Sequence, residues 1–380
     1  MSSPSSPAVR SPALRGRDAE LAALLRLLDA ARDGSGGAVI LRGARGTGRS
    51  AMLRAAADRA DGFVLLGTRG TESESRLPYA GLHGLLRPVA DRLDALPPAQ
   101  AAVLAEALEL GTSDGGLALP AAVLNLLAAA GRPVLACVDD VHHLDARSRD
   151  VLFFVARRLS GEPVALLFGA DDAPSGTGDG ADAPDDIPVL DLGALPEGAA
   201  RQLADDLAPE LAEDVRASLL DIAHGNPLAI VELIGSLTPE QMSGAAAPPE
   251  TPPRDGRLWR AHAARLAGLP GGTADALLLL AADPDLDTAA LLRVTGRGCA
   301  LTALEPAERA GVIVRTAGDR YGFREPAMRS VVYAGASPAR RRAAHRLLAN
   351  LPDHDRLRRA WHRAAALDGP GEELADELAA

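Results

Sequence analysis

Five short apolar runs, AVIL (38–41), FVLL (63–66), PVLACV (133–138), PVALLF (163–168) and IPVLDL (187–192), are spaced through the first half of the chain. Ala- and Leu-rich helical stretches separate them. A strand with one wet face alternates apolar with polar residues, whereas these runs are apolar almost throughout, so both faces of their sheet must be covered. A parallel α/β sheet with helices on each side satisfies that requirement.

The rest of the chain divides around this sheet. Residues 1–13, rich in Ser and Pro, read as a disordered lead. The α/β domain is expected over 14–195, opening with RDAELAALLRLLDAARDG, where Leu21, Leu24, Leu25 and Leu28 recur at helical spacing and Gly34 stops the helix. Between the fourth and fifth runs, DDAPSGTGDGADAPDD is too acidic and Gly/Pro-rich to pack a core, and reads as a surface insertion. A helical segment follows over 196–237, with a Gly-Asn-Pro turn in HGNPLAIVELIGSL. The Pro-rich stretch 238–256 reads as a linker and domain boundary. In 257–335, short helices precede GVIVRTAGDRYGFRE, a strand, a Gly-Asp turn and a second strand, which together suggest a winged helix. Amphipathic helices fill 336–380 without a complete internal repeat.

Composition narrows the function classes. The 380 residues carry 40 basic and 51 acidic side chains, a net charge of -11, which opposes a general binder of phosphate backbones. The start has no apolar core of signal-peptide length, and ADALLLLAA is too short to span a membrane, so a cytoplasmic protein is expected. Cys137 and Cys299 are the only cysteines and read as ordinary buried thiols in a reducing compartment. Lysine is absent from the sequence.

The first apolar run leads into GARGTGRS (43–50), and SAMLRAAADRA leaves it as a helix. The octet fits G-x-x-x-x-G-[K/R]-S in a strand–turn–helix setting, where backbone N–H groups cradle phosphates at a helix N-terminus. Gly43, Gly46, Gly48, Arg49, Ser50 and Ala51 are the candidate phosphate contacts, with the Ser50 hydroxyl on a magnesium ion. About ninety residues on, VLACVDD ends an apolar strand in Asp139 and Asp140. Asp139 is placed to hold magnesium through water and Asp140 to polarise an attacking water; Asp140 and Arg49 are the candidate catalytic residues.

The cluster DDVHHLD (139–145) also contains metal-ligand types. Adjacent histidines on a strand-to-helix turn are expected to point apart, so His142 and His143 read as helix-start residues. A serine hydrolase is disfavoured because no G-x-S-x-G elbow occurs.

Taken in order, LRGRDAELAALLRLLDAA, GARGTGRS, TESESRLPYAGLHGLLRPVADRL, VLACVDDVHHLD, VLFFVARRLSGEPVALLF and GNPLAIVEL resemble the ATPase module of the large LuxR-family transcriptional regulators of actinobacteria. These are signal-transducing AAA-like P-loop NTPases. The resemblance continues through YGFREPAMRSVVYAGASPARRRAAHRLLA, like the stretch after the winged helix, and RRAWHRAAAL, like the start of a helical-repeat sensor.

It implies a switch that binds ATP or ADP with magnesium. The segment 196–237 would be a helical lid, with Gly225, Asn226 and Pro227 near the base, and Gly16 and Arg17 would match a box beside the nucleotide. A protein partner or self-association is expected, and no membrane. In three respects the chain departs from the family pattern. Arg49 replaces the P-loop lysine, which favours binding over hydrolysis. Asp171 stands where a cation facing the γ-phosphate is expected. The sequence stops at Ala380, before a full repeat array and the DNA-reading helix-turn-helix, so direct DNA binding by this chain is not expected.

Overall fold

The structure is a computed structural model that describes residues 13–112, 116–172, 184–295, 300–316, 318–352 and 355–367. The Ser/Pro-rich lead up to residue 12, most of the acidic insertion, Cys299 and the tail from 368 lie outside the described residues. The chain divides into two compact units, Met1–Asp206 and Leu207–Ala380. That division falls within 196–237, the expected lid, and not at the Pro-rich stretch 238–256.

In the first unit the helices are α1 (Asp18–Arg32), α2 (Arg49–Ala57), α3 (Ala80–Leu86), α4 (Pro98–Leu110), α5 (Ala118–Ala128), α6 (Ala146–Ala156) and α7 (Glu197–Leu207). The strands are β1 (Gly37–Gly43), β2 (Val64–Arg69), β3 (Val134–Asp139), β4 (Val164–Asp171) and β5 (Val189–Asp191), each matching one apolar run of the sequence. They form one five-stranded sheet in the order β2-β3-β4-β1-β5. Every neighbouring pair is parallel.

Successive residues of a strand face opposite sides, so each strand feeds two cores. Ile40, Val134, Ala136, Leu166 and Phe168 join Leu82, Leu85, Leu126 and Leu152 on one side. Leu41, Leu135, Ala165 and Leu167 join Leu24, Leu28 and Met52 on the other. Strand β4, at the centre, is buried on both faces to its last residue. At the β2 edge the expectation of double coverage fails, and Leu65 is half exposed.

The consequence for function lies in the register. Gly43 pairs with Asp171, so the end of β1 and the end of β4 lie side by side. Arg69 pairs with Asp139 at the ends of β2 and β3. Strand β4 therefore separates the loop after β1 from the carboxylates after β3, and Asp171 lies between them.

The second unit contains α8 (Glu213–Ala223), α9 (Pro227–Gly235), α10 (Pro239–Met242), α11 (Arg257–Ala267), α12 (Gly271–Ala282), α13 (Thr288–Thr295) and α14 (Ala300–Arg309). The antiparallel hairpin β6 (Ile313–Thr316) and β7 (Arg320–Phe323) follows, then α15 (Pro326–Gly335), α16 (Pro338–Ala349) and α17 (Arg356–Ala365). Its core is centred on α12, where Leu277, Leu278, Leu279 and Leu280 are all buried with Leu291, Leu304, Met328 and Leu348. The stretch expected as a linker holds α10, closed by a capping box between Thr238 and Gln241. Further on, the Glu232 carboxylate accepts from the Arg257 and Leu258 N–H groups and so caps α11.

Candidate functional site

The loop Gly43–Ser50 takes its shape from glycine. Gly46 and Gly48 have φ of 86° and 104°, where side chains are strained. At Gly43 a Cβ would come within 2.6 Å of the Leu192 carbonyl oxygen and 2.7 Å of Thr47 Oγ1, so the chain can turn there only without one. The Thr47 hydroxyl closes the turn by donating to the Ala44 carbonyl at 2.8 Å. Helix α2 starts directly after, with Arg49, Ser50 and Ala51 in its first turn, where backbone N–H groups lack partners within the helix.

Beside the loop, Ser50 Oγ donates to Asp139 Oδ2 at 2.6 Å. Gly169, on the intervening β4, leaves the room: a Cβ there would lie 2.7 Å from Asp139 Oδ1. A hydroxyl and a carboxylate held together at a helix N-terminus are the hard-oxygen donors that suit magnesium. A magnesium–nucleotide complex is thus compatible with the residues present. Ser50 and Asp139 would hold the metal and the loop N–H groups the phosphates.

The Arg49 side chain turns beneath the loop. It is 7% exposed; Nη1 donates to the Gly43 and Ala170 carbonyls at 2.7 and 2.6 Å, and Nη2 donates to Asp140 Oδ1 at 3.1 Å. Asp171 Oδ1 lies 3.7 Å from Nη1. The cation expected to grip phosphate is therefore engaged by two carbonyls and two carboxylates.

Asp140 has φ of 48°, a left-handed backbone that few non-glycine residues adopt. Its second oxygen accepts from both Nε and Nη2 of Arg69 at 2.9 and 2.7 Å. Burial alone would raise the Asp140 carboxyl, but the Arg69 hydrogen bonds and the charges of Arg49 and Arg69 hold it below the ordinary carboxylate range. Arg69 was not legible in the sequence, because only the pairing of β2 with β3 brings it there.

Arg17 is buried and donates to the Thr47 carbonyl at 3.3 Å, to the Gly193 carbonyl and to Glu20. It ties the loop to the segment after β5. Pro227 belongs to the second unit, where it opens α9 while Asn226 caps that helix by accepting from the Ala229 N–H at 3.1 Å.

One detail of DDVHHLD differs from the sequence reading. The rings of His142 and His143 do not point apart but lie 4.2 Å apart in a 3-10 turn over Val141–His143. Burial first, and then the neighbouring His143, push His142 down to about 4, so it is neutral near pH 7. Asp145 is neither metal ligand nor catalytic group: its carboxylate accepts from the backbone N–H groups of Tyr79, Gly81 and Ser148 at 2.9, 3.0 and 2.9 Å. Among the described residues no cluster of three or more His, Cys, Asp or Glu side chains is arranged to hold a metal ion. In β3, burial and then Asp139 push the half-buried Cys137 thiol up to about 12, which leaves it protonated and unreactive.

A parallel sheet, a glycine loop opening a helix, and a strand-end carboxylate on that helix's serine define a P-loop NTPase architecture. Residues 13–168 match the family described as "AAA ATPase domain". No curated protein matches the chain. Similar solved structures include a signal transduction ATPase with numerous domains (STAND) from Pyrococcus horikoshii, which carries a tetratricopeptide repeat sensor. It is 14% identical with TM-score 0.38, over 93% of this chain and 49% of that one, so this chain spans about half its length. The RuvB Holliday junction branch migration motor of Thermotoga maritima is 15% identical with TM-score 0.42, over 85% of this chain and 98% of that one. The Aeropyrum pernix ORC1 protein, solved in complex with DNA, is 16% identical with TM-score 0.43, over 86% and 94%. Among the described residues no helix is long and apolar enough to cross a membrane.

Proposed function

We infer that the chain is a cytoplasmic nucleotide-binding regulatory module in which ATP or ADP with magnesium sets the arrangement of a P-loop domain, a helical lid and a winged helix. The observation that carries this reading is the Ser50–Asp139 hydrogen bond at 2.6 Å beneath the glycine loop. The loop N–H groups from Gly43 to Ala51 would take the phosphates, and Ser50 and Asp139 the magnesium. Arg17 would fix the loop. The relation to LuxR-family regulators rests on the ordered motifs of the sequence, and the winged helix on the α11–α14 helices followed by the β6–β7 hairpin. Its output would pass through a protein partner or self-association, not direct DNA contact.

Hydrolysis is weak or absent in this reading. A base must be free to accept a proton from water, whereas Asp140 is bound by two guanidinium groups, and a phosphate cation must face the ligand, whereas Arg49 faces two carboxylates. Two readouts test it together. Thermal unfolding should shift upward with ADP and magnesium, by roughly 2.7 kcal/mol of stabilisation at a hundred times Kd. Steady phosphate release from ATP should stay at background and be unaffected by Asp140→Asn. Rapid turnover abolished by Asp140→Asn would make the protein an active ATPase instead.

A further inference from the structure

We propose that the second unit carries a ligand site of its own, a cleft between α11, α12 and α15 that takes a small carboxylate with an apolar body. The proposal is independent of the nucleotide reading, because every residue that lines the cleft lies between 254 and 340, within that unit.

The cleft follows from where the small residues fall. Ala263 and Ala267 on α11, Ala274 on α12, and Gly335 and Ala336 at the end of α15 line it, and none has a side chain that reaches across. A space of about 400 Å³ is left between the helices, within the range of small-molecule sites. Buried Trp259, Leu277 and Val331 also line it, so the surface that a ligand would cover is largely apolar. Gly335 keeps it open. A Cβ there would lie 4.0 Å from Trp259 Cζ2, an ordinary contact, so a larger side chain at 335 would occupy the space beside the indole.

Charge then selects the ligand's polar end. Arg254 and Arg340 are the ionisable side chains that line the cleft. Arg340 donates to Asp275 Oδ1 at 2.6 Å, and that carboxylate balances its charge. Arg254 is held differently: Nη2 donates to the Ala334 carbonyl at 2.7 Å, and its Cζ lies 5.4 Å from the centroid of the Trp259 ring. Neither partner is an anion, and among the described residues Arg254 forms no ion pair. Helix ends do not decide the sign, because the first turns of α12 and α16 and the last turns of α11 and α15 all border the cleft and oppose one another. Among the described residues lining the cleft, the uncompensated charge is therefore the exposed Arg254 guanidinium, anchored over Trp259. A carboxylate would meet it while an apolar body lies against the indole.

The test uses Trp259 as its reporter. Trp259 and Trp361 are the tryptophans of the sequence, so Trp361→Phe leaves the indole in the cleft as the sole tryptophan fluorophore. Octanoate titrated into the full chain carrying Trp361→Phe should change this fluorescence saturably. Uncharged 1-octanol and cationic octyltrimethylammonium should bind at least about fivefold more weakly. Adding Arg254→Gln should bring octanoate down to the affinity of octanol and leave octanol unchanged. Adding Gly335→Leu should abolish the binding of both while a cooperative thermal transition shows that the unit is folded. No saturable change with octanoate, equal binding of octanoate and octanol, or an octanoate affinity that Arg254→Gln leaves intact would overturn the proposal, and none of these outcomes bears on nucleotide binding.

Discussion

Arg49 occupies the position that decides whether a phosphate loop does chemistry, and its guanidinium donates three hydrogen bonds to the protein, to the Gly43 and Ala170 carbonyls and to Asp140. An ammonium has three donors and no planar fork, so Arg49→Lys should destabilise the ligand-free protein by about 1–2 kcal/mol in urea unfolding. Arg49→Ala should cost more, about 3–5 kcal/mol, because it takes the donor from the buried Gly43 and Ala170 carbonyls and one of the two guanidinium groups from Asp140. Arg69→Ala should free one oxygen of Asp140 and let its pKa rise. A carboxyl resonance titrating at higher pH by NMR would show it, and an unchanged titration would contradict the pairing. Arg49, Ser50, Asp139 and Asp140 were legible in the sequence because the motif is linear and the carboxylates end an apolar run. Of their neighbours, Arg69 was not singled out, and Asp171 was marked only through the family resemblance and not as a neighbour of Arg49. Which group each one faces depends on the order of strands, which spacing along the chain does not record.

The five strands could be read from sequence because each is apolar on both faces, yet their ends could not. Strand β1 runs on to Gly43 and β4 to Asp171, through polar or small residues that pair by backbone alone. The caps were similarly hidden. Asp145 was grouped with possible metal ligands, whereas it serves the N-terminus of α6 and backbone N–H groups at the start of α3. Asp145→Ala removes the acceptor of three buried N–H groups and should destabilise the first unit by about 2–4 kcal/mol. A loss below about 0.5 kcal/mol would contradict the capping role. Glu232 caps α11 across a sequence gap that no local capping signature spans.

The protein as a whole should lose stability in acid, and the second unit supplies a specific reason. Half-buried Tyr333 and buried His345, His362 and Asp283 form a chain: the Tyr333 hydroxyl is 2.8 Å from His345 Nε2, the two Nδ1 atoms are 2.9 Å apart, and His362 Nε2 is 3.2 Å from Asp283 Oδ2. The chain runs from Tyr333 through His345 and His362 to Asp283, which Arg358 also holds. Burial, then His362, pushes His345 down from 6.5 to about 4. Its contribution to stability is therefore full above pH 6.5 and falls as pH drops toward 4. Burial opposes ionisation of Asp283, but His362 and Arg358 outweigh it and hold the carboxyl down at about 2, so its contribution is lost only between 3.8 and about 2. Acid unfolding should show the upper window disappear in His345→Gln, and an unchanged profile would contradict this assignment. The account's central claim is that the loop holds a nucleotide through magnesium on Ser50 and Asp139. Isothermal titration of the purified chain with ADP, in magnesium and then in a chelator, tests it most directly. The account predicts saturable one-to-one binding that weakens at least about tenfold without magnesium and in Asp139→Ala. Absence of any heat or thermal shift at millimolar ADP would contradict it.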